Sequence, residues 1–432
     1  MINKNDISGK FGTDIFCDPD IPLWAALYDG TPPYLYADGI TDTLNLPYSA
    51  ARETARLAVL EFRSVSENND PVFDWQAVVD DAPLYTEYAC ALGGVMLKPY
   101  FDGKKIITNY IRADSFYPTA FDNNHNIVGC IFAEQFFARK KYFTRLEYHR
   151  YEGEKYLISN RGFISDSSAS IGNEVSLVSV PEWENISAET ALENISAPLF
   201  AYFSVNGGKS VFARAVSIFR NADEQYSRLL WEAKATEPAV FADVTVLRPK
   251  DKKKQSGLSR MSDRLFKLLD LADDSMIKEY APAIRDVSQI NILNTVLRRA
   301  EFLCGLAYGT FSDISKVEKT ASEIKASKQR SYAAVVSVQH ELKKALMKYL
   351  SAVSELYSLY DLGEFIPEAS FEFDDSLVTD AETEQKLLLQ EVSAGLISPA
   401  FYLQRRYGVT PEQAAEIYCR VPPDADIVKR SY

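Results

Sequence analysis

The residues from Phe311 to Leu362 form the longest stretch of the chain that keeps a helical pattern without a glycine or a proline. Apolar residues recur there in steps of three and four, a spacing that places them on one face of an α-helix. They are Val335, Val338, Leu342, Leu346, Tyr349, Val353, Leu356 and Tyr360. A helix of this length needs either a large body to lie against or repeated neighbours to stack with, because its apolar face must be covered.

Both ends of this helix carry boundary signals. Two Ser/Thr-x-x-Glu boxes, Ser315–Glu318 and Thr320–Glu323, mark the start, since each box satisfies free backbone N–H groups of a first turn. Gly363 and then Pro367 mark the end. The pattern predicts a helix from Thr320 to Leu362, about 64 Å long at about 1.5 Å per residue.

The composition of the chain restricts its class. A length of 432 residues predicts roughly two to four structural units, and a hydrophobic fraction of 47% is typical of a folded protein. The formal net charge of −13 argues against a simple nucleic-acid binder, which is normally basic. It leaves room for a surface past which DNA slides without sticking.

Cysteine usage and hydropathy indicate synthesis and assembly in a cytoplasm. The five cysteines are scattered and no Cys-x-x-Cys motif occurs, so reduced thiols are expected. The polar N-terminus, residues 1–12, lacks the apolar core of a signal peptide. No apolar run approaches the about 20 residues that cross a bilayer, so no membrane partner is expected.

The N-terminal half changes its period along the chain. Residues 1–47 are rich in proline, aspartate, glycine and aromatic residues, and they predict an irregular arm. Ser49–Val65 has a helical apolar face, and a second short helix is predicted over Asp74–Asp80. From Tyr85 to about Val205 the period is two, which predicts an antiparallel β meander whose first hairpin turns at Asp102-Gly103.

Three longer strands are predicted in this β region. They cover Ile127–Phe137, Tyr142–Tyr151 and Lys155–Ser159. Turns are predicted at Glu152-Gly153 and at residues 160–162, where the sequence Asn-Arg-Gly is typical of a reversal.

Helical periodicity returns in the C-terminal half. Amphipathic helices are predicted over Ser210–Ala235 and Ser288–Leu306, with a β-type run, Ala239–Leu247, between them. After the long helix, three short helices are predicted from Thr379 onward. The sequence therefore predicts an α+β protein of several parts.

Motifs for catalysis are absent from the sequence. There is no Walker A lysine motif and no Gly-x-Ser-x-Gly elbow, and His125, His149 and His340 are far apart along the chain. Residues 122–126 match the first ligands of a calcium loop, but its glycine and terminal glutamate are missing, which favours a plain turn. We expect no catalytic residue, metal ligand or cofactor. A carboxylate-based hydrolase is an alternative that only the many acidic and aromatic residues favour.

A basic segment follows the β-type run of the C-terminal half. Its lysines are Lys250, Lys252, Lys253 and Lys254. Such a loop either binds a partner or phosphate, or is simply solvated, and both interpretations stay open. The basic half of the long helix has the same two interpretations.

Short sequence motifs that occur together in a fixed order are distributed over most of the chain. They are Leu23-Trp24 and residues 93–99 (GGVMLKP), 110–118 (YIRADSFYP), 305–312 (GLAYGTFS), 319–324 (KTASEI) and 394–398 (AGLIS). Together they resemble the portal proteins of tailed bacteriophages, of the type found in long-tailed phages of Gram-positive bacteria. Ser322 departs from this family, which more often has threonine at that position.

The resemblance implies a portal-like fold with an antiparallel, β-rich wing and two stem helices. The expected parts, in chain order, are the wing (1–208), the first stem helix (209–235), a small α/β clip (236–287), the second stem helix (288–308), the tunnel loop (309–319), the long wing helix (320–362) and a helical crown (363–432).

The same resemblance implies a non-enzymatic function. A ring of about twelve copies would occupy one vertex of the capsid in the virion, and double-stranded DNA would pass through its centre during packaging and ejection. Expected partners are further copies of the chain, the major capsid protein, the scaffolding protein, the large terminase subunit and the head-completion or tail adaptor protein. Another ring component of the phage head or neck is the nearest alternative.

Three sets of residues are assigned by this resemblance and by the helical pattern. The clip would dock partners through the four lysines, the tunnel loop would lie near DNA, and the stripe of the long helix would pack against neighbouring copies. The loop residues are Ser312, Asp313, Ser315, Lys316, Glu318 and Lys319. The stripe residues are Val335, Leu342, Leu346, Tyr349, Val353 and Leu356.

Overall fold

The computed structural model describes the greater part of the 432 residues. The described residues are 2–66, 68, 71–237, 239–243, 266–269, 277–280, 283, 285–313, 321–373, 388–395, 397–399 and 401–402. They belong to two units, Met1–Glu372 and Phe373–Tyr432. In the second unit, residues 388–393 are helical.

The N-terminal region contains two helices, α1 (Lys4–Phe11) and α2 (Ile21–Tyr28), where the composition predicted an irregular arm. The side chain of Asn3 caps α1 by accepting a backbone N–H, and Gly12 ends α1 in the left-handed region at φ 64°. The prediction was wrong here because each helix has only 8 residues, too few for a periodic signal.

The next segment alternates between helix and strand. The predicted first helix is α3 (Leu46–Val59), which ends before Val65 because β1 (Phe62–Ser66) pairs with a distant strand. The predicted second helix is confirmed as α4 (Trp75–Asp80). A third helix, α5 (Ala82–Leu92), was not predicted, since it is buried around most of its circumference and lacks an amphipathic period.

Gly93 ends α5 at φ 84° and begins the first sheet. A Cβ atom there would lie 2.4 Å from the backbone oxygen of Gly208, so two turns of the chain meet at a point that only glycine allows.

A three-stranded sheet follows. The predicted hairpin is confirmed as β2 (Gly94–Phe101) and β3 (Ile106–Arg112), and the Asp102 carboxylate closes its turn by accepting two backbone N–H groups. A later strand, β10 (Ala201–Ser204), pairs with the other edge of β2. As the central strand, β2 is buried along almost its whole length.

The second sheet has six strands, with the order β4-β5-β6-β7-β8 and with β9 also paired to β7. They are β4 (Phe116–Phe121), β5 (Ile127–Ala138), β6 (Lys141–Glu152), β7 (Lys155–Ser165), β8 (Asn173–Val175) and β9 (Glu189–Glu193). Every pairing is antiparallel, as the period-two pattern predicted. One face of the sheet packs Tyr117, Leu146 and Phe163 against Ile7 of α1.

The turn predicted at residues 160–162 does not exist, because β7 continues through it. Gly162 pairs with Arg145 of β6 and with Val175 of β8. A Cβ atom on Gly162 would lie 3.0 Å from the ring of Trp183. The glycine therefore allows the close approach of an aromatic ring rather than a reversal of the chain.

Two long helices follow the sheets. The predicted pair is confirmed as α6 (Val216–Ala235) and α7 (Asp286–Leu303), and a short 3₁₀ turn, Ala213–Ala215, delays the start of α6. Three strands lie between them in sequence, namely β11 (Ala239–Asp243), β12 (Phe266–Leu269) and β13 (Ile277–Tyr280). The central strand, β11, is parallel to β12 and antiparallel to β13.

The long helix is confirmed as α8 (Ala321–Tyr360), a single helix of 40 residues and about 60 Å in length. It ends before Gly363, because Asp361 takes the left-handed conformation at φ 51°. The N–H of Leu362 then bonds the Tyr357 carbonyl at 3.0 Å, which satisfies one of the last free carbonyls. Beyond the helix, β14 (Ala369–Phe373) pairs with β1.

The apolar stripe of α8 is buried inside its own chain. The six side chains assigned to ring packing are at most 9% exposed, and α8 lies against β2, β10 and α3. They are Val335, Leu342, Leu346, Tyr349, Val353 and Leu356. On the same side, Gln339 donates to the Ala58 carbonyl at 3.1 Å. The assignment of this stripe to neighbouring copies is wrong, because the body of the chain already covers it.

Candidate functional site

A buried carboxylate joins the antiparallel helices α6 and α7 where the chain leaves for the strands β11–β13 and returns from them. Glu232, at the end of α6, accepts the Arg285 Nε–H at 2.9 Å and the Gln289 Nε2–H at 3.0 Å. The hydrogen bond from Arg285 lowers the pKa of Glu232. Two helical turns before Glu232, Gln225 of α6 also donates a hydrogen bond to Gln289. These bonds hold the two helices in one register.

Another flank of α6 is attached to the N-terminal region through Asp223. This carboxylate is 1% exposed; it accepts the Leu44 N–H at 2.8 Å and the hydroxyls of Thr43 and Tyr34 at 2.9 and 3.0 Å. Burial raises the pKa of Asp223, and the three donors oppose that shift. Residues 34–44 are thereby fixed to α6.

The helix pair also presents large apolar side chains to solvent. Trp231 of α6 is 70% exposed, and Val287 and Ile292 of α7 are 58% and 51% exposed. Scattered exposed apolar residues are ordinary, but tryptophan is enriched among the residues that contribute most to binding at protein interfaces. The pair therefore has a surface suited to contact with another protein chain.

The start of the segment between α7 and α8 is held by a second buried carboxylate, that of Glu301, which is 0% exposed. Its Oε1 accepts the backbone N–H groups of Gly309, Phe311 and Ser312 at 3.1, 2.6 and 2.8 Å. The Ser312 hydroxyl bonds both carboxylate oxygens, at 3.1 and 3.0 Å. Converging backbone N–H groups form an anion-binding concavity, and here the chain fills it with its own carboxylate.

Two more contacts hold the same segment. The Asn294 side chain of α7 accepts the Asp313 N–H at 3.0 Å. The Arg330 guanidinium of α8 lies 4.5 Å from the centre of the Phe302 ring and 5.3 Å from that of Tyr308. Helix α7, the residues after it and helix α8 are thus joined at one place.

The predicted tunnel-loop residues divide into three groups. Ser312 is 6% exposed and its hydroxyl binds Glu301, and its assignment to the tunnel loop near DNA stays a prediction. Asp313 is exposed. The remaining four, Ser315, Lys316, Glu318 and Lys319, lie outside the described residues. The four clip lysines, Lys250, Lys252, Lys253 and Lys254, also lie outside them.

A polar cluster that sequence reasoning missed lies inside the β region. Glu147 of β6 bonds the Lys98 ammonium, accepts the Arg145 Nη1–H at 2.9 Å and meets His149 Nε2 at 2.6 Å. The Tyr156 hydroxyl meets His149 Nδ1 at 2.9 Å. The cluster joins β2, β6 and β7, and each charge in it has a partner.

The ionisation of this cluster follows from burial and from its charges. Burial opposes the charged form of Glu147, but the Lys98 ammonium holds the pKa of this carboxyl well below its usual range. Burial lowers the pKa of His149, against the hydrogen bond to Glu147, which raises it. The imidazole is therefore neutral, with its Nε2–H donated to Glu147 and its Nδ1 free to accept from Tyr156.

Other candidate chemistry is not assembled in the described part of the chain. His125 and His340 are exposed and His149 is buried, so the three do not form a cluster. The Asp122 carboxylate accepts the N–H groups of Asn124 and Asn126 at 2.8 and 2.7 Å, as in a plain turn. Among the described residues, no group of three or more His, Cys, Asp or Glu could hold a metal ion.

A sequence signal for Glu301 existed. It follows the buried Leu297 by four residues, so it falls on the face of α7 where apolar residues are expected. A carboxylate on such a face needs buried donors. The sequence could not identify those donors, because they are backbone N–H groups, which almost every residue carries.

The sequence model of one protein family matches residues 80–418, more than three quarters of the chain. That family is described as phage portal protein, SPP1 Gp6-like. The chain belongs to this family. It is therefore a portal protein, a head-to-tail connector in the virion of a tailed bacteriophage. The matched residues include the sheet of β2, β3 and β10, the six-stranded sheet, the pair α6 and α7, the Glu301 segment and α8.

Two further findings concern this portal protein. No curated protein matches its sequence. Within the described residues, none of its helices combines the length and the apolar character that a membrane crossing requires.

Proposed function

We propose that this portal protein forms a ring of about twelve copies at one vertex of the capsid, through which double-stranded DNA is packaged and later ejected. The observation that carries the proposal is the extent of the family match, whose bounds, residues 80 and 418, enclose α6, β11–β13, α7, the Glu301 segment and α8. A match that spans all these parts supports the portal function.

The parts of the subunit are assigned by position. The wing comprises residues 1–208 together with the long helix at 320–362. The two stem helices are 209–235 and 288–308, which contain α6 and all but the first two residues of α7. The other proposed parts are the clip (236–287), the tunnel loop (309–319) and the crown (363–432).

The contact between neighbouring copies is proposed to lie on the stem. The stripe of α8 is already buried in its own chain, so it offers no surface to a second copy. The exposed side chains of Trp231, Val287 and Ile292 lie instead on α6 and α7. Burying these apolar side chains between copies would stabilise a closed ring.

The charge balance supports passage of DNA rather than its retention. Duplex DNA carries one negative charge per about 1.7 Å, so a strongly basic channel would bind it and stall translocation. Twelve chains of net charge −13 carry −156 in total. We propose that DNA passes such a ring without tight binding, and that no enzymatic step belongs to the portal itself.

The proposed partners follow from this position in the particle. They are the major capsid protein, the scaffolding protein, the large terminase subunit during packaging, and the head-completion or tail adaptor protein afterwards. The clip lysines would dock the terminase or the adaptor. Assembly would take place in the cytoplasm of the host, which we propose to be a Gram-positive bacterium.

Mass photometry with negative-stain imaging of the purified protein tests the proposal. Twelve copies of the 48.6 kDa chain give a particle of about 583 kDa with a central hole. If only a 48.6 kDa monomer is found, co-expression with the capsid and scaffolding proteins is the second arm. Absence of a ring in both arms would reject the proposal.

A further inference from the structure

The Glu301 carboxylate is bound by one short segment of the chain. In the described structure, all five hydrogen bonds that it accepts come from residues 309–312. Three of the donors are backbone N–H groups, and no lysine or arginine among the described residues forms an ion pair with it. A fully buried carboxylate depends on such donors, since an unpaired buried charge is very costly. The segment and the carboxylate therefore hold each other in place.

The direction of the chain strengthens this attachment. After α7, Gly305 turns the backbone in the left-handed region at φ 74°. The chain then passes Glu301 and reaches Asn294, which accepts the Asp313 N–H at 3.0 Å. Asn294 and Glu301 are seven residues apart, which is two helical turns on one face of α7. The segment thus runs back along α7, which binds it at two positions, Glu301 and Asn294.

We propose that Glu301 is a positioning residue that makes residues 309–312 move as one body with the second stem helix. What this coupling means for DNA passage rests on the proposed function. In a DNA conduit, any displacement of the stem would carry the start of the tunnel loop with it, and the loop would not shift independently at its stem end. Glu301 therefore binds a segment of its own chain, and through that contact it couples the second stem helix to the tunnel loop.

Amide hydrogen exchange on Glu301→Gln tests the proposal. Glutamine keeps the size of the side chain and one oxygen for the backbone N–H groups, but it removes the negative charge that strengthens these hydrogen bonds. We expect exchange at the amides of Gly309, Phe311 and Ser312 to accelerate by at least about tenfold. Exchange at wild-type rates in a folded Glu301→Gln protein would overturn the proposal.

Glu355→Gln is the matched control. Glu355 of α8 also accepts two backbone N–H groups, those of Ser196 and Ala197, both at 3.2 Å. Its variant should accelerate exchange at residues 196–197 and leave residues 309–312 unchanged. Equal acceleration at 309–312 in both variants would mean a general loss of stability, and would also overturn the proposal.

Asn294→Ala keeps the test decisive if Glu301→Gln does not fold. Asn294 is half-buried and binds the next residue of the segment, Asp313. We expect faster exchange at Asp313 alone, with residues 309–312 still protected by Glu301. If residues 309–312 lose protection together with Asp313, Glu301 is not what holds them.

A packaging assay separates this proposal from the proposed function. Rings of Glu301→Gln should have the wild-type mass but package less DNA than rings of Glu355→Gln. A wild-type protein that forms no ring and packages no DNA would reject the proposed function, while the exchange measurements would still decide the role of Glu301. Normal packaging by Glu301→Gln rings would show that the coupling has no consequence for DNA.

Discussion

His149 and Glu147 meet at 2.6 Å inside the β region, and the neutral imidazole donates its Nε2–H to the carboxylate. The second ring nitrogen faces the Tyr156 hydroxyl, and the carboxylate also bonds Lys98 and Arg145. Each member of this cluster therefore has a role that depends on its ionisation state.

Acid should destabilise the fold through His149. Burial lowers the pKa of this imidazole, so the unfolded chain binds the proton more readily and stability falls as the pH drops below the ordinary value of 6.5. Between about pH 7.5 and about pH 5.5, we expect the free energy of unfolding to fall by up to about 1.4 kcal/mol per pH unit below 6.5. Urea unfolding of wild type and His149→Gln measures this. An identical pH dependence in both proteins would contradict the assignment.

Glu147→Gln should be strongly destabilising. The variant leaves the buried Lys98 ammonium without its carboxylate, and breaking a buried charge pair from one side costs about 3–5 kcal/mol. Because the pKa of Glu147 is held low, its contribution is present above pH 4.5 and is lost only as the pH falls through the folded-state value. Urea unfolding at neutral pH checks the cost. Glu152→Gln, on the exposed end of the same strand, is the control.

Leu346→Ala should unfold the subunit more easily rather than merely weaken a ring. Leu346 is fully buried under the body of its own chain, and removing a large buried side chain costs about 2–5 kcal/mol. Its neighbour Met347 is 51% exposed, so Met347→Ala should change stability by less than about 0.5 kcal/mol. The unfolding midpoint in urea, measured on dissociated chains, compares the two. An unchanged unfolding midpoint in Leu346→Ala would instead support the assignment of the α8 stripe to contacts between copies.

Trp231→Asp should impair ring formation without unfolding the chain. Buried tryptophans at interfaces contribute about 2 kcal/mol or more, so we expect at least about a 30-fold weaker association. Val178 is 73% exposed and lies outside α6 and α7, and Val178→Asp is the control that should still form rings. Mass photometry gives the ring fraction and circular dichroism gives the fold. Normal rings in the Trp231 variant would place the subunit contact elsewhere.

Replacement of the four clip lysines by serine should leave rings intact but weaken docking of the terminase or the tail adaptor. The replaced residues are Lys250, Lys252, Lys253 and Lys254. The effect should shrink at high salt, because exposed charges are screened there. Binding is measured by surface plasmon resonance at two salt concentrations. The control replaces four exposed lysines of two wing turns, Lys104, Lys105, Lys140 and Lys141; equal binding by both variants would assign the clip lysines to solvated surface.

Strong periodicity made the main elements predictable. The long helix, the pair α6 and α7, and the strands β2, β3, β5 and β6 follow patterns of 3.6 or two residues over long stretches. The helices α1, α2 and α5 were missed because two are short and the third is buried on most sides. A periodic signal needs both length and a solvent-facing side.

The stripe of α8 shows what amphipathicity leaves open. The pattern indicated correctly that Leu346 and Val353 are buried, but it could not say which surface buries them. Two surfaces were compatible with the sequence, and the chain's own sheets are the ones that cover the stripe. The partners of Glu301 were hidden for a related reason, since every residue type except proline carries a backbone N–H.

The attachment of α6 to residues 34–44 has a consequence for the order of synthesis. The donors that bind Asp223 lie about 180 residues earlier in the chain, whereas Arg285, which binds Glu232, lies 53 residues later. At translation rates of about 5–20 residues per second, that delay is roughly 3–10 s. Helix α6 is therefore synthesised after the residues 34–44 that bind it, and α7 is synthesised only later. The contacts of Asp223 with residues 34–44 can therefore form before the partners of Glu232 on α7 are available.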